Sequence, residues 1–330
     1  MNPPPVITID DIVEAARIIA PAAVRTPLLE NSVLNDRIGR RVLLKFEGAQ
    51  HTGSFKFRGA YNRLARLDDA QRAAGVVAWS SGNHAQGVAA AARLLAIPAT
   101  IVMPSDAPAI KLANTRALGA EIVTYDRHTE SREEIATALA QDRGATLVPS
   151  FDDPFIIAGQ GTAGLEILDQ AEGVGAQIGQ ILVCCGGGGL TAGIATAVKA
   201  RAPATSIYSV EPAGFDDTAR SLASGVRETV APDARSICDA LMAPSPGAMT
   251  FPINQALLAG GLIVSDDLVR DAMRFAFSTL KLVVEPGGAV ALAAMLNGLA
   301  PPCEGASVVV LSGSNVDPAG YAAIIGASDA

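Results

Sequence analysis

At 330 residues, 49% apolar and 18% charged, the chain has enough apolar content for about two α/β domains. A net charge of −8, with no basic block and no aromatic-interleaved Lys/Arg cluster, excludes a nucleic-acid partner. No stretch reaches the roughly 18 uninterrupted apolar residues of a membrane span, and the start MNPPPVITIDD lacks a signal peptide's charged and apolar regions, so a soluble cytoplasmic protein without a membrane partner is expected.

In chain order, short β-branched runs alternate with Ala-rich helical segments. From Gly75 these are the strand VVAWSS, a helix through GNHAQGVAAAARLLA, the strand ATIVMP, a helix through APAIKLANTRALG, the strand AEIVTYD and a charged helix RHTESREEIATALAQD. A second series follows Pro149: helix AGLEILDQ, strand QILVCC, a glycine loop, helix LTAGIATAVKA, strand SIYSVEP, helices DDLVRDAMRFAFSTLK and GGAVALAAML, and strand ASVVVLSGS. ILVCC, SVVVL and ATIVM are apolar on both faces, as parallel strands covered by helices on both sides must be. A linker at 145–155 separates the series, and the tail after Ala322 reads as disordered. The predicted architecture is a small domain, residues 74–152, inserted into a larger one formed by 1–73 and 153–330.

The chain has only five lysines and three histidines, which limits the groups able to do chemistry. Lys56 lies in Thr52-Gly53-Ser54-Phe55-Lys56-Phe57-Arg58-Gly59, where flanking phenylalanines can strip its hydration and lower its pKa toward a nucleophilic amine. Packing of its stem on a phenylalanine would account for the same pattern. Ser80-Ser81-Gly82-Asn83-His84 follows a strand and opens a helix, so its polar residues serve either a ligand or the helix N-cap. Cys184-Cys185-Gly186-Gly187-Gly188-Gly189 runs from a buried strand into a helix, where converging backbone N–H groups and the helix dipole make an anion cradle, a more fitting place for one than for a flexible linker. A third strand end, Leu311-Ser312-Gly313-Ser314-Asn315, would face the same cleft. The four cysteines have no zinc-type spacing and read as reduced thiols. Gly159-Gln160-Gly161-Thr162-Ala163-Gly164 satisfies the dinucleotide fingerprint, yet no good strand precedes it and no acid lies near residue 180, so it is set aside.

The segments GSFKFRGAYN, SSGNHAQGVA, AGQGTAGLEIL, CCGGGGLTAGI and LSGSN, in this order, resemble the fold-type II pyridoxal-phosphate enzymes of the serine/threonine dehydratase and serine racemase family, from about Thr26 to Asp317. The resemblance implies an α/β fold of two open parallel-sheet domains with pyridoxal 5'-phosphate between them. Lys56 matches the residue that carries the cofactor as a Schiff base and moves protons, and Gly186, Gly187, Gly188 and Gly189 match the phosphate loop. Phe55 matches the ring beside the cofactor, Asn83 the partner of the pyridine 3-oxygen and Ser312 the partner of the pyridine nitrogen. A neutral hydroxyl at the nitrogen makes a weaker electron sink, which favours prompt β-elimination. Ser80, Ser81, Asn83 and His84 resemble the substrate-carboxylate loop, and Ser81 falls where racemases place a second proton-transfer group.

Glu211, Phe215 and Asp217 match carboxylate and carbonyl ligands that hold a divalent cation such as Mg2+ in some relatives, against the alternative of a solvated acidic loop. Arg132 aligns with a pocket arginine; among its acidic neighbours it reads first as a helix-surface ion pair, and as a ligand for a second substrate carboxylate if it faces the cleft. Cys238-Asp239-Ala240, where the family often has Ala-Asp-Gly, and the atypical 241–247 that follows depart from the pattern, as does Gly313-Ser314-Asn315. The expected function is deamination of L-threonine or L-serine to a 2-oxo acid and ammonia by a homo-oligomer, a dimer. The alternatives are a dehydratase for 3-hydroxyaspartate or phenylserine, an amino-acid racemase, and a cofactor-holding protein without turnover. With so few residues after Asp317, an added regulatory domain is not expected.

Overall fold

The structure, a computed structural model, describes residues 6–80, 82–107 and 109–326. Its first strands are β1 (Leu28–Glu30), β2 (Val42–Phe46), β3 (Val76–Trp79), β4 (Ala99–Pro104) and β5 (Glu121–Tyr125). Then come β6 (Thr146–Leu147), β7 (Ile178–Cys184), β8 (Ser206–Pro212), β9 (Gly260–Val264) and β10 (Ala306–Leu311). The larger sheet has the order β1-β2-β10-β7-β8-β9, parallel except for the edge strand β1. The smaller, β5-β4-β3-β6, is wholly parallel and drawn from residues 76–147. β4 and β10 are buried along their whole length, which is why their sequences are apolar on both faces.

The core of the smaller sheet reaches beyond that span, because Phe57, Ala60 and Leu64 of the Lys56 helix (Lys56–Ala65) and Ile156 pack into it. The same helix is tied to the larger lobe by charges. Arg58, fully buried, meets Glu47 at 2.8 Å and Glu166 at 2.7 Å, and Lys45 meets Glu166 at 2.6 Å.

Several elements differ from the sequence expectation. The helix expected over 163–170 runs Pro154–Gly173, started by Asp153, whose carboxylate caps the amides of Phe155 and Ile156, with Pro154 in the first turn. The fingerprint glycines lie inside that helix. A Cβ at Gly159 would meet the Gly59 backbone at 2.6 Å and one at Gly161 the Gly193 carbonyl at 2.8 Å, so they serve close helix packing. The charged helix begins at Arg132 because Ser131 caps it, and 127–130 is a turn around Asp126. The expected linker is ordered: β6 lies in it, and its Ser150–Asp152 stretch walls the cleft. The C-terminal segment forms a helix, Pro318–Ile325, where disorder was expected after Ala322; residues 327–330 lie outside the described ones.

Candidate active site

The carboxyl ends of β3, β7 and β10 open on one cleft of about 520 Å³ between the sheets, the usual ligand position in open parallel folds. Phe55, Lys56, Ser80, Asn83, His84, Gly186 to Gly189, Ser312 and Arg132 all line it. Ser81 lies outside the described residues. Glu211, Phe215 and Asp217 are not among the lining residues.

Lys56 is placed by two left-handed residues and a zipper of backbone bonds. Thr52 and Gly53 take φ of 58° and 72°, turning the chain so that Phe55 N donates to Ser312 O at 3.1 Å while Ser314 N donates to Gly53 O at 2.9 Å. The lysine motif and the β10 end are thereby locked together. Lys56 Nζ donates to Ser150 O at 2.8 Å and sits 5.2 Å from the Phe55 ring centre. Burial pushes its ammonium down to about 8.

Gly188, at φ 91°, turns the loop into the helix Gly189–Arg201. Among the described residues the amides of Gly186 to Gly189 donate to no protein acceptor, so these N–H groups remain for an anion at a helix N-terminus. Ser312 lies within hydrogen-bond reach of Cys184, whose thiol burial pushes up to about 12 and keeps protonated. Asn83 is held from both sides: its Nδ2 donates to Glu285 Oε1 at 2.6 Å and its Oδ1 accepts from Asn315 Nδ2 at 2.8 Å. His84 Nε2 lies 2.9 Å from Val148 O; burial and the Lys56 charge push its pKa down to about 3. It is a neutral ring and brings no positive charge to the loop.

Sequence reasoning missed Glu285, a buried carboxyl whose pKa burial raises to about 8. Its signal was an acid inside the otherwise apolar LVVEPGGAVALAAML. It also missed Gln160, whose buried Nε2 has no partner, and the ion pair Lys111–Asp239, 2.8 Å across the cleft from the smaller lobe to the larger. Arg227 donates to Pro246 O at 2.9 Å and holds the atypical 239–247 segment as a cleft wall. Arg132 departs from the surface ion pair expected first: it is exposed on the cleft and, among the described residues, pairs with no carboxylate, because it opens its helix where the chain enters the cleft wall.

Outside the cleft, Glu211 and Asp217 come together, both fully buried. Glu211 accepts from the amides of Thr218 at 2.9 Å and Ala219 at 2.7 Å, whereas Asp217 Oδ2 has no partner. Burial pushes Glu211 up to about 8, reinforced by Asp217, and pushes Asp217 up to about 7. The loop is therefore not a solvated one. Among the described residues no group of three or more His, Cys, Asp and Glu side chains gathers as a metal site.

Two parallel sheets facing a lysine-centred cleft, with a glycine loop of unpaired amides, define an α/β enzyme of the kind that holds a phosphorylated carbonyl cofactor. The model of the pyridoxal-phosphate dependent enzyme family matches residues 19–313, and the chain belongs to that family. It is 46% identical over 316 residues to an L-threo-3-hydroxyaspartate ammonia-lyase of a Pseudomonas species, covering 96% of this chain and 97% of that one. It is 38% identical to a serine racemase of Schizosaccharomyces pombe, with 96% of each covered. A solved T.th. threonine deaminase superposes with a TM-score of 0.89 at 46% identity, covering 94% of this chain and 99% of that one. The fold is that of the fold-type II pyridoxal-phosphate enzymes, as the motif order implied.

Proposed function

We propose that this enzyme deaminates a β-hydroxy amino acid bearing a second carboxylate, 3-hydroxyaspartate, by α,β-elimination. The observation that carries this reading is Arg132, which is exposed, lines the same cleft as Lys56 and, among the described residues, pairs with no carboxylate. L-serine and L-threonine, the substrates expected first from sequence, have no second carboxylate for that fork once the α-carboxylate is held by the Ser80–His84 loop. Similarity to relatives named L-threo-3-hydroxyaspartate ammonia-lyase, at 46% and 40% identity, supports it. The test is 2-oxo acid release from L-threo-3-hydroxyaspartate, L-serine and L-threonine. A kcat/KM for hydroxyaspartate no higher than for the other two would remove the reading.

The cleft suits pyridoxal 5'-phosphate. Gly186 to Gly189 would hold the phosphate, Ser312 the pyridine nitrogen, Asn83 the 3-oxygen and Phe55 the ring edge. The bound cofactor supplies the sink for the electron pair left at Cα. Lys56, an amine with pKa near 8, would hold the cofactor through Nζ and would take the α-proton on the same atom. Loss of the β-hydroxyl as water leaves an enamine product that tautomerises and hydrolyses to the 2-oxo acid and ammonia. With Ser312 a neutral hydroxyl and Cys184 a protonated thiol, neither would offer an anion to a pyridine nitrogen held there.

Two outcomes follow from the titrating groups. Cofactor capture needs the neutral Lys56 amine, so the second-order rate of recombination with stripped protein should climb about tenfold per pH unit below pH 8 and level off above it. Stopped-flow absorbance measures this, and a flat profile from pH 6 to 9 would contradict the depressed amine. For Glu211 and Asp217 the folded pKa values of about 8 and 7 lie above the ordinary values of 4.5 and 3.8, so the folded state binds protons more tightly and stability falls as pH rises from about 4 to about 8. A divalent cation held by Glu211, Asp217 and the Phe215 carbonyl would offset that loss. Millimolar Mg2+ should then raise the melting temperature at pH 8 but not at pH 4, and Asp217→Asn should erase the difference.

A further inference from the structure

We propose that Thr250, backed by Asn254, is a positioning residue that aims the Gly188 and Gly189 amides at the cofactor phosphate; this rests on the reading of the glycine loop as the phosphate cradle. Thr250 Oγ1 donates to Gly187 O at 2.6 Å, Asn254 Nδ2 donates to Gly188 O at 3.4 Å, and Gly247 N donates to Gly187 O at 3.2 Å. Both side chains are fully buried, Thr250 at the first position of the helix Thr250–Leu257 and Asn254 one turn further on. A trans peptide is planar, with its C=O and N–H pointing opposite ways. Drawing the Gly187 carbonyl toward Thr250 therefore turns the Gly188 N–H the other way, and drawing the Gly188 carbonyl toward Asn254 does the same for the Gly189 N–H.

The loop cannot relax from this setting. A Cβ at Gly187 would lie 2.4 Å from the Phe151 ring, and one at Gly188 would lie 2.6 Å from Asn254 Nδ2 and 2.9 Å from Thr250 Oγ1, so the backbone is clamped between the two sides. The clamp is itself anchored, because the Asp152 carboxylate accepts from Ala248 N at 2.9 Å and Met249 N at 2.8 Å. Donors fixed before an anion arrives cost less to order when it binds. Neither Thr250 nor Asn254 lines the cleft, and no sequence motif pointed to them.

The test uses the full-length protein stripped of cofactor and titrated, by absorbance and fluorescence, with pyridoxal 5'-phosphate or with pyridoxal, which lacks the phosphate. Thr250→Val keeps the shape and leaves the Gly187 carbonyl its bond from Gly247. It should weaken pyridoxal phosphate binding about tenfold, equivalent to about 1.4 kcal/mol, leave pyridoxal binding within about twofold, and be restored by Thr250→Ser. Asn254→Ala should shift the same ratio in the same direction, and provides the measurement if Thr250→Val does not fold. Equal weakening of both ligands, or unchanged pyridoxal phosphate affinity in both variants, would overturn the role of Thr250. A wild-type protein that binds the two ligands equally would instead overturn the phosphate cradle.

Discussion

Lys56→Ala should lose the visible absorbance of bound cofactor and at least about 10⁴-fold in turnover, while melting at nearly the wild-type temperature in the stripped form. The size follows from what is removed: a general base contributes about 10²–10⁴ in rate, and the covalent anchor is lost with it. Folding is spared because the side chain makes one bond, to Ser150 O, and alanine favours the helix it starts. Retained activity would end the elimination mechanism, since no other lysine occupies the base of the cleft; Lys111, at its mouth, is paired with Asp239.

Arg132→Ala should lower kcat/KM for L-threo-3-hydroxyaspartate about 100-fold and change that for L-serine less than about threefold. A charge-assisted hydrogen bond is worth about 1.5–3 kcal/mol, which brackets a hundredfold effect. Arg132→Lys should recover part of the loss, because a point charge replaces a planar fork. Equal damage to both substrates would make Arg132 a structural residue of the cleft wall and return L-serine and L-threonine to first place.

The parts legible in the sequence were those where chemistry and backbone geometry demand the same residues. Strands buried on both faces announced themselves as apolar runs, and the glycine loop announced itself because its amides need freedom from Cβ atoms. Glu285, Thr250 and Gln160 were not legible. Each acts through a partner more than 60 positions away in sequence or through an orphaned atom, and spacing carries no sign of either. Arg132 shows the opposite difficulty. Its acidic neighbours Glu130, Glu133 and Glu134 suggested an ion pair, whereas its direction depends on where Ser131 starts the helix.

The charge cluster of Lys45, Glu47, Arg58 and Glu166 that ties the Lys56 helix to the larger lobe, its first three members fully buried, has a consequence for descent. Removing one member alone strands its partner, at a cost of about 3–5 kcal/mol, a large share of the roughly 5–15 kcal/mol that keeps a protein folded. A lineage therefore cannot readily change the floor under the lysine one residue at a time. The exposed positions of the cleft rim, Arg132, Asp239, Ala240, Met242 and Pro244, carry no such penalty and are open to drift. On the proposed reading of Arg132, substrate preference would then be freer to diverge than the chemistry at Lys56.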